Sequence, residues 1–137
     1  MNDNSDKEVE PTPFATKEAC AKWRKVRRFR EFNWLGVGRV ILQSAMAGEW
    51  IRIDAAQTRA RMAAMSGNAK VHEKATKEFL VAVCTLLVLD ENKNPFFSRD
   101  DETLIVEMDS AITDPLVAAA MQHCDTSGVD FEAAKKN

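Results

Sequence analysis

The side chains of this chain that could take part in acid–base or metal chemistry are few, and their spacing matches no catalytic motif. His72 and His123 are its two histidines. A nucleophilic hydrolase places a base beside an activated serine or cysteine, but the chain has neither a G-x-S-x-G sequence nor a catalytic cysteine signature. Cys124 follows His123, yet a metal site there would need two more ligands from elsewhere. The sequence therefore predicts a protein that is not an enzyme and holds no metal or cofactor.

The carboxylates and the glycine-containing stretch of the chain also predict no catalytic or metal-binding site. Asp100, Asp101 and Asp109 could be read as paired carboxylates for a divalent cation. The first two lie where a helix is predicted to begin, however, and negative charge is stabilised there by the helix dipole. The glycine-containing stretch 35–38 (LGVG) lacks the Lys-Ser/Thr pair of a phosphate-binding loop. We interpret all of these residues as structural.

The basic stretch 22–30 (KWRKVRRFR) is the one segment whose composition suits an acidic partner. Arginines interleaved with Trp23 and Phe29 could neutralise phosphates and stack on bases. The pI of about 5.7 is well below that of typical nucleic-acid-binding modules, so we favour a solvated face over protein binding, and both over nucleic acid. The candidate basic patch comprises Lys22, Arg24, Arg27, Arg28 and Arg30.

Charge is distributed unevenly, although the net charge is only −2. Residues 14–39 hold eight basic and two acidic residues, whereas residues 90–137 hold four basic and eleven acidic ones. The favoured interpretation is that the two regions neutralise each other, within the fold or between the subunits of a homo-oligomer. The sharper alternative is a basic patch for an acidic partner.

The cysteines and the N-terminus indicate a reducing compartment. Cys20, Cys84 and Cys124 are widely spaced and odd in number, so they predict neither a disulfide framework nor a zinc site. Cys84 lies within an apolar run and is expected to be a small buried side chain. The acidic start is the opposite of a signal peptide, and the apolar run 79–89 is about half a membrane span. We expect a cytoplasmic protein without membrane contact.

The elements that position these residues are predicted to form a mainly helical, α+β domain over residues 14–125, between an acidic tail (1–13) and a polar C-terminal tail (126–137). Residues 29–34 and 39–43 are β-prone and flank a reversal, which predicts a hairpin. Because an isolated hairpin is marginal in water, it should pack on three to four helices. Residues 17–28 fit either a helix or a strand.

Two long helices are expected next. Ser44 should cap the first, from Ala45 to Met65, with Met46, Trp50, Ile53 and Gln57 on one side. After a reversal at residues 66–68, the second should cover 69–89. Its second half is apolar all round and is therefore predicted to be buried.

The C-terminal third should contain two short helices. Residues 90–95 (DENKNP) form a turn sequence, and Ser98 with Asp101 resembles a capping box. The helix that they start should end near Asp109. Asp114-Pro115 then resembles a cap followed by proline at the first helical position, which predicts a last helix from Pro115 to His123.

This order of elements resembles that of the tail assembly chaperones of long-tailed phages and prophages, over residues 26–124. The segments that carry the resemblance are the hairpin-like run FREFNWLGVGRVILQS, the helix start SAMAGEW, the turn VLDENKNPFF, the acidic helix SRDDETLIVEMDS and the closing DPLVAAAMQH. The most specific piece is Leu89–Asn92 with Pro95–Phe97 and the Asp-rich helix start. The resemblance implies a non-enzymatic protein of the host cytoplasm that binds the tape measure protein and helps to recruit tail tube subunits.

A binding role of this kind requires exposed, adaptable apolar side chains, and methionine suits varied partners. The alternative is a small phage-encoded nucleic-acid-binding or inhibitor protein that uses the basic stretch 22–30. For the chaperone, the candidate partner surface comprises Trp34, Trp50, Met62, Met65, Phe96 and Phe97.

Overall fold

The computed structural model describes residues 12–125 and confirms a mainly helical α+β fold. These residues form five α-helices, a three-stranded antiparallel sheet and one 3₁₀ turn (Arg99–Asp101). The tails predicted at residues 1–13 and 126–137 lie, apart from Thr12 and Pro13, outside the described residues. In chain order the elements are α1 (Lys17–Ala21), β1 (Phe29–Trp34), β2 (Gly38–Gln43), α2 (Ala47–Met65), α3 (Ala69–Leu87), β3 (Val88–Leu89), α4 (Glu102–Glu107) and α5 (Ser110–His123).

The predicted hairpin is present. β1 and β2 pair antiparallel from Phe29 opposite Gln43 to Trp34 opposite Gly38. Gly36 in the connecting turn has a φ of +88°, a conformation that glycine adopts without steric cost. The open question of residues 17–28 is resolved as a short helix, α1, followed by turns that lead into β1.

A third strand replaces the end of the second long helix, which was predicted to reach Leu89. α3 ends at Leu87, and Val88 takes an extended conformation (φ −108°, ψ 125°). Val88 and Leu89 then pair with Leu42 and Ile41 of β2. An apolar run is compatible with both helix and strand, and the free edge of β2 decides the outcome here because it offers backbone hydrogen bonds.

α2 and α3 form a helical hairpin, as expected from the reversal between them. Gly67 has a φ of +75°, and the side-chain oxygen of Asn68 accepts hydrogen bonds from the backbone N–H groups of Lys70 and Val71. α2 begins at Ala47, two residues after the predicted start near Ala45, and Met46 is its N-cap residue. The Ser44 hydroxyl does not cap it, because it accepts a hydrogen bond from Arg28 N–H at 2.8 Å.

The last helix, in contrast, begins earlier than predicted. α5 starts at Ser110, and the carboxylate of Asp109 accepts a hydrogen bond from Ala111 N–H at 2.9 Å. Pro115 therefore lies inside the helix. The prediction of a start at Pro115 was wrong because two sequences of the cap type lie five residues apart and the earlier one is used.

The core lies between the sheet, the second half of α3 and α5. α5 packs against β1, β2 and α3, and α4 packs against α3. Cys84 is fully buried, as predicted. Among residues 12–125, no helix is both long and apolar enough to cross a membrane. The largest fully buried side chains are Trp34, Leu42, Ile53, Leu87, Ile105, Leu116, Val83 and Val88.

Candidate partner-binding surface

Two of the six predicted contact residues belong to the core. Trp34 is 1% exposed and Phe97 is 3% exposed. The indole N–H of Trp34 donates to the Ile112 carbonyl oxygen at 2.7 Å, and its ring meets that of Phe97 edge to face, with centroids 6.1 Å apart. The assignment of these two side chains to a partner surface is corrected: both are buried, and Trp34 joins the hairpin to α5.

The other four predicted residues are exposed, but they do not form one surface. Phe96 packs edge to face on Phe97 at a centroid distance of 4.8 Å and remains 42% exposed. Met62 and Met65 are 66% and 86% exposed and lie near the end of α2. Trp50, 38% exposed, lies about 120° around the helix from Met62, since each residue advances by about 100°.

α2 carries a stripe of mainly apolar side chains, interrupted by one threonine, that faces solvent. Its members follow one another at intervals of four, three, four and three residues, which keeps them within an arc of about 80°. Such spacing is typical of a helix face that packs against another helix. All are exposed, and we call them the α2 stripe: Ile51, Ala55, Thr58, Met62 and Met65.

The sequence analysis missed Ile51, although the signal was present. α2 was predicted to be apolar on one side only. The residues that it buries in the fold, Ile53, Ala56 and Ala63, lie on another side of the helix. When a helix has two apolar sides and the fold of the chain buries only one of them, the other side stays exposed. The four-three spacing from Ile51 could have revealed this.

Arginines dominate the borders of the α2 stripe. Arg52 and Arg59 follow one border, while Asp54 and Arg61 follow the other, and all four are exposed. Three of these four charges are positive. The stripe therefore suits a partner with acidic residues beside its apolar ones.

Part of the basic stretch 22–30 makes contacts within the fold and is not available to a partner. Arg27 binds Glu49 through two parallel hydrogen bonds of 2.7 and 3.0 Å, and it also donates to the Ser44 carbonyl. Burial alone would raise the pKa of Glu49, but its hydrogen bonds with Arg27 and Met46 N–H outweigh burial and lower it. Arg27 thus anchors the start of α2. It is not a free member of a basic patch.

The remaining members of the patch differ in exposure. The Arg28 backbone continues the hairpin: its N–H donates to the Ser44 hydroxyl, and its carbonyl oxygen accepts from Ser44 N–H. Arg28 is half-buried. Lys22, Arg24 and Arg30 are exposed. The ion pairs Arg27–Glu49 and Arg39–Glu31 both lie in the N-terminal part of the chain, so neither tests the predicted neutralisation by the acidic C-terminal region.

His123, the carboxylate of Asp101 and Cys84 occupy structural positions. His123 Nε2 lies 3.0 Å from the Arg28 carbonyl oxygen, which can only accept, so Nε2 donates. Burial lowers the pKa of His123, and the nearby Arg28 and Arg30 charges act in the same direction. The Asp101 carboxylate accepts from Ser98 N–H at 2.8 Å, which confirms the predicted capping box. Burial raises the pKa of the Cys84 thiol to about 12, so it remains protonated.

Metal binding finds no support in this part of the chain. Over residues 12–125, no group of three or more His, Cys, Asp or Glu side chains could hold a metal ion. Asp101 and Asp109 both serve as caps.

Comparisons of the chain with protein-family models, with curated proteins and with solved structures give no match. A functional conclusion therefore depends on the residues and their geometry.

Proposed function

We propose that this protein is a tail assembly chaperone of a long-tailed phage or prophage. In this role it has no catalytic activity, acts in the host cytoplasm, binds the tape measure protein and helps to recruit tail tube subunits. The observation that carries the proposal is the α2 stripe. The resemblance over residues 26–124 supplies the identity of the client.

The α2 stripe suits a chaperone because it is separate from the core. Ile51, Met62 and Met65 are each about two-thirds exposed or more, whereas α2 contributes to the core through another side, with Ile53 fully buried. Such apolar surface can be covered by a client without unfolding the chaperone. Methionine side chains adapt their shape to differing partners, and the bordering arginines keep the surface hydrated until a client binds.

Nucleic-acid binding remains the alternative function. Lys22, Arg24 and Arg30 are exposed and could contact phosphates. The bond of Arg27 to Glu49 removes one of the five arginine and lysine charges on which this hypothesis relied. The chaperone is therefore the better supported function.

Co-expression with the candidate tape measure protein encoded nearby, followed by pull-down at low and moderate salt, tests the proposal. We expect soluble client at both salt concentrations, because apolar contacts are not weakened by salt. The double change Met62→Glu and Met65→Glu should reduce the recovery. Ala64→Glu is the matched control, since Ala64 is exposed on the same helix about 140° away from Ile51.

Two results would contradict the proposal. One is that the client stays insoluble and is not recovered with the unmodified chain. The other is that nucleic acid is recovered and washes off as salt rises, which is the behaviour of phosphate contacts. That second result would favour the basic stretch 22–30.

A further inference from the structure

A groove of about 630 Å³ runs along the outside of the α2–α3 hairpin. The α2 wall consists of Arg52, Ala55, Ala56 and Arg59. These positions follow the i, i+3, i+4, i+7 pattern of a helix face over two turns. The two small side chains form the floor of the groove, and the two arginines lie at its ends.

The α3 wall repeats this pattern. It consists of Glu78, Val81, Ala82 and Thr85, again at i, i+3, i+4 and i+7. The side chains in the middle, Val81 and Ala82, are small. Two antiparallel helices thus present matched faces with a low floor between them, and this arrangement leaves room for the larger side chains of a third helix.

The charges around the groove are not satisfied by one another. Arg52 and Arg59 on α2 face a groove that also contains Glu78, Arg99 and Glu102. Within residues 12–125 none of these five side chains forms an ion pair within 4 Å; the ion pairs observed involve other residues. The arginines of α2 are seven residues apart, so a helix lying along the groove could place one acidic residue opposite each.

We infer that the groove between α2 and α3 binds an amphipathic helix of the partner protein, with bulky aliphatic residues on its inner face and two acidic residues seven positions apart facing Arg52 and Arg59. This inference rests on the proposed function and specifies the chemistry of the partner. Ile51 and Ala55 line the groove and also belong to the α2 stripe, so a bound helix also covers one end of the stripe.

Two labelled synthetic peptides of about 21 residues, three heptads with leucine on one face, provide the probe. They differ only at two positions, seven residues apart on one flank, which hold glutamate in one peptide and lysine in the other; the remaining flanking residues are uncharged. Fluorescence anisotropy with the full chain should show binding of the glutamate peptide and about tenfold weaker binding of the lysine peptide, since two favourable ion pairs become repulsive. Equal binding, or no binding of either peptide, would overturn the inference.

Two test variants, each with a matched control variant, locate the binding. Arg52→Glu with Arg59→Glu should reverse the preference between the peptides. Lys22→Glu with Arg24→Glu, at two exposed positions outside both the groove and the α2 stripe, changes the net charge equally and should not. Ala55→Trp fills the floor and should weaken binding of the glutamate peptide about tenfold. Ala64→Trp, outside the groove, should leave it unchanged. If both tryptophan variants bind alike, the peptide lies elsewhere and the inference is wrong.

The remaining outcomes separate this inference from the proposed function. If Ala55→Trp still recovers the tape measure protein as well as the unmodified chain does, the groove is not the client site, although the chaperone function stands. If the glutamate peptide binds but no client is recovered, the function fails and the groove stands. A chain that is dimeric, and becomes monomeric in Arg52→Glu with Arg59→Glu, would show that a second copy occupies the groove, against the inference.

Discussion

The two halves of the α2–α3 hairpin differ in how they bury apolar surface. The inner half of α3 contributes Val83, Cys84 and Leu87 to the core, each fully buried. In the outer half, residues 57–77, the buried side chains are Ala63 and Ala75. Because burial of large apolar side chains supplies most of the stability, the inner half holds the fold together. The outer half can keep apolar side chains exposed for a partner.

The largest expected effect comes from charging the inner half. Leu87→Asp places a carboxylate where a fully buried leucine stood. An unpaired buried charge costs several kcal/mol, a large part of the stability of about 5–15 kcal/mol that is typical of a domain. We expect no cooperative unfolding transition in urea, as followed by circular dichroism.

The matched change in the outer half is Met65→Asp. Met65 is 86% exposed and is the last residue of α2. The free energy of unfolding should change by about 1 kcal/mol or less, mainly because a carboxylate at a helix C-terminus opposes the helix dipole. If Met65→Asp prevents folding as Leu87→Asp does, the contrast between the two halves is wrong.

An intermediate effect sharpens the distinction between core and surface aromatics. Trp34→Ala removes a buried ring and its hydrogen bond to Ile112, and should lower the free energy of unfolding by about 3–5 kcal/mol. Phe96→Ala should cost less than half as much, since its ring is 42% exposed. Urea unfolding of both variants provides the comparison. Equal losses would mean that Phe96 is also a core residue.

The smallest effect is a pH dependence where α5 meets the hairpin. Burial lowers the pKa of His123 in the folded chain below the ordinary value of 6.5. The unfolded chain therefore binds more protons between the two pKa values. The contribution to stability is fully present above pH 6.5 and is lost as the pH falls through the folded pKa.

Thermal unfolding between about pH 7.5 and 5.5 measures this dependence. His123→Gln keeps a donor that can reach the Arg28 carbonyl but does not titrate, so its melting temperature should vary less over this range. An identical pH dependence in the variant would assign the titration to another group.

Local sequence signals were enough to predict several elements of the fold. The β-prone runs predicted the hairpin. The turn at residues 90–95 forms as expected, with Asp90 Oδ1 accepting from Asn92 N–H and Asn94 N–H. Ser98 and Asp101 form the predicted capping box. These features depend on interactions between residues close in sequence, so the sequence contains what determines them.

Features that depend on distant residues could not be predicted in this way. β3 exists because β2, more than forty residues away in sequence, presents an unpaired edge. The Ser44 hydroxyl accepts a hydrogen bond from Arg28 N–H and does not cap α2. It does so because the hairpin pairing continues one residue beyond Phe29 and Gln43. Of the six predicted contact residues, four are exposed and two are buried. A large aromatic residue suits a core as well as an interface, so its type does not distinguish them.

By itself the sequence determined a mainly helical domain with an N-terminal hairpin, the reversal at residues 66–68 and the capping of the acidic segment, because short-range hydrogen bonding and hydrophobic periodicity dictate them. It also contained the second apolar face of α2. Only the tertiary structure decided which face of α2 the fold buries, that Trp34 and Phe97 lie in the core, and that α2 and α3 form a groove together. The physical reason is that burial depends on which surfaces meet, and those surfaces come from segments far apart in the chain.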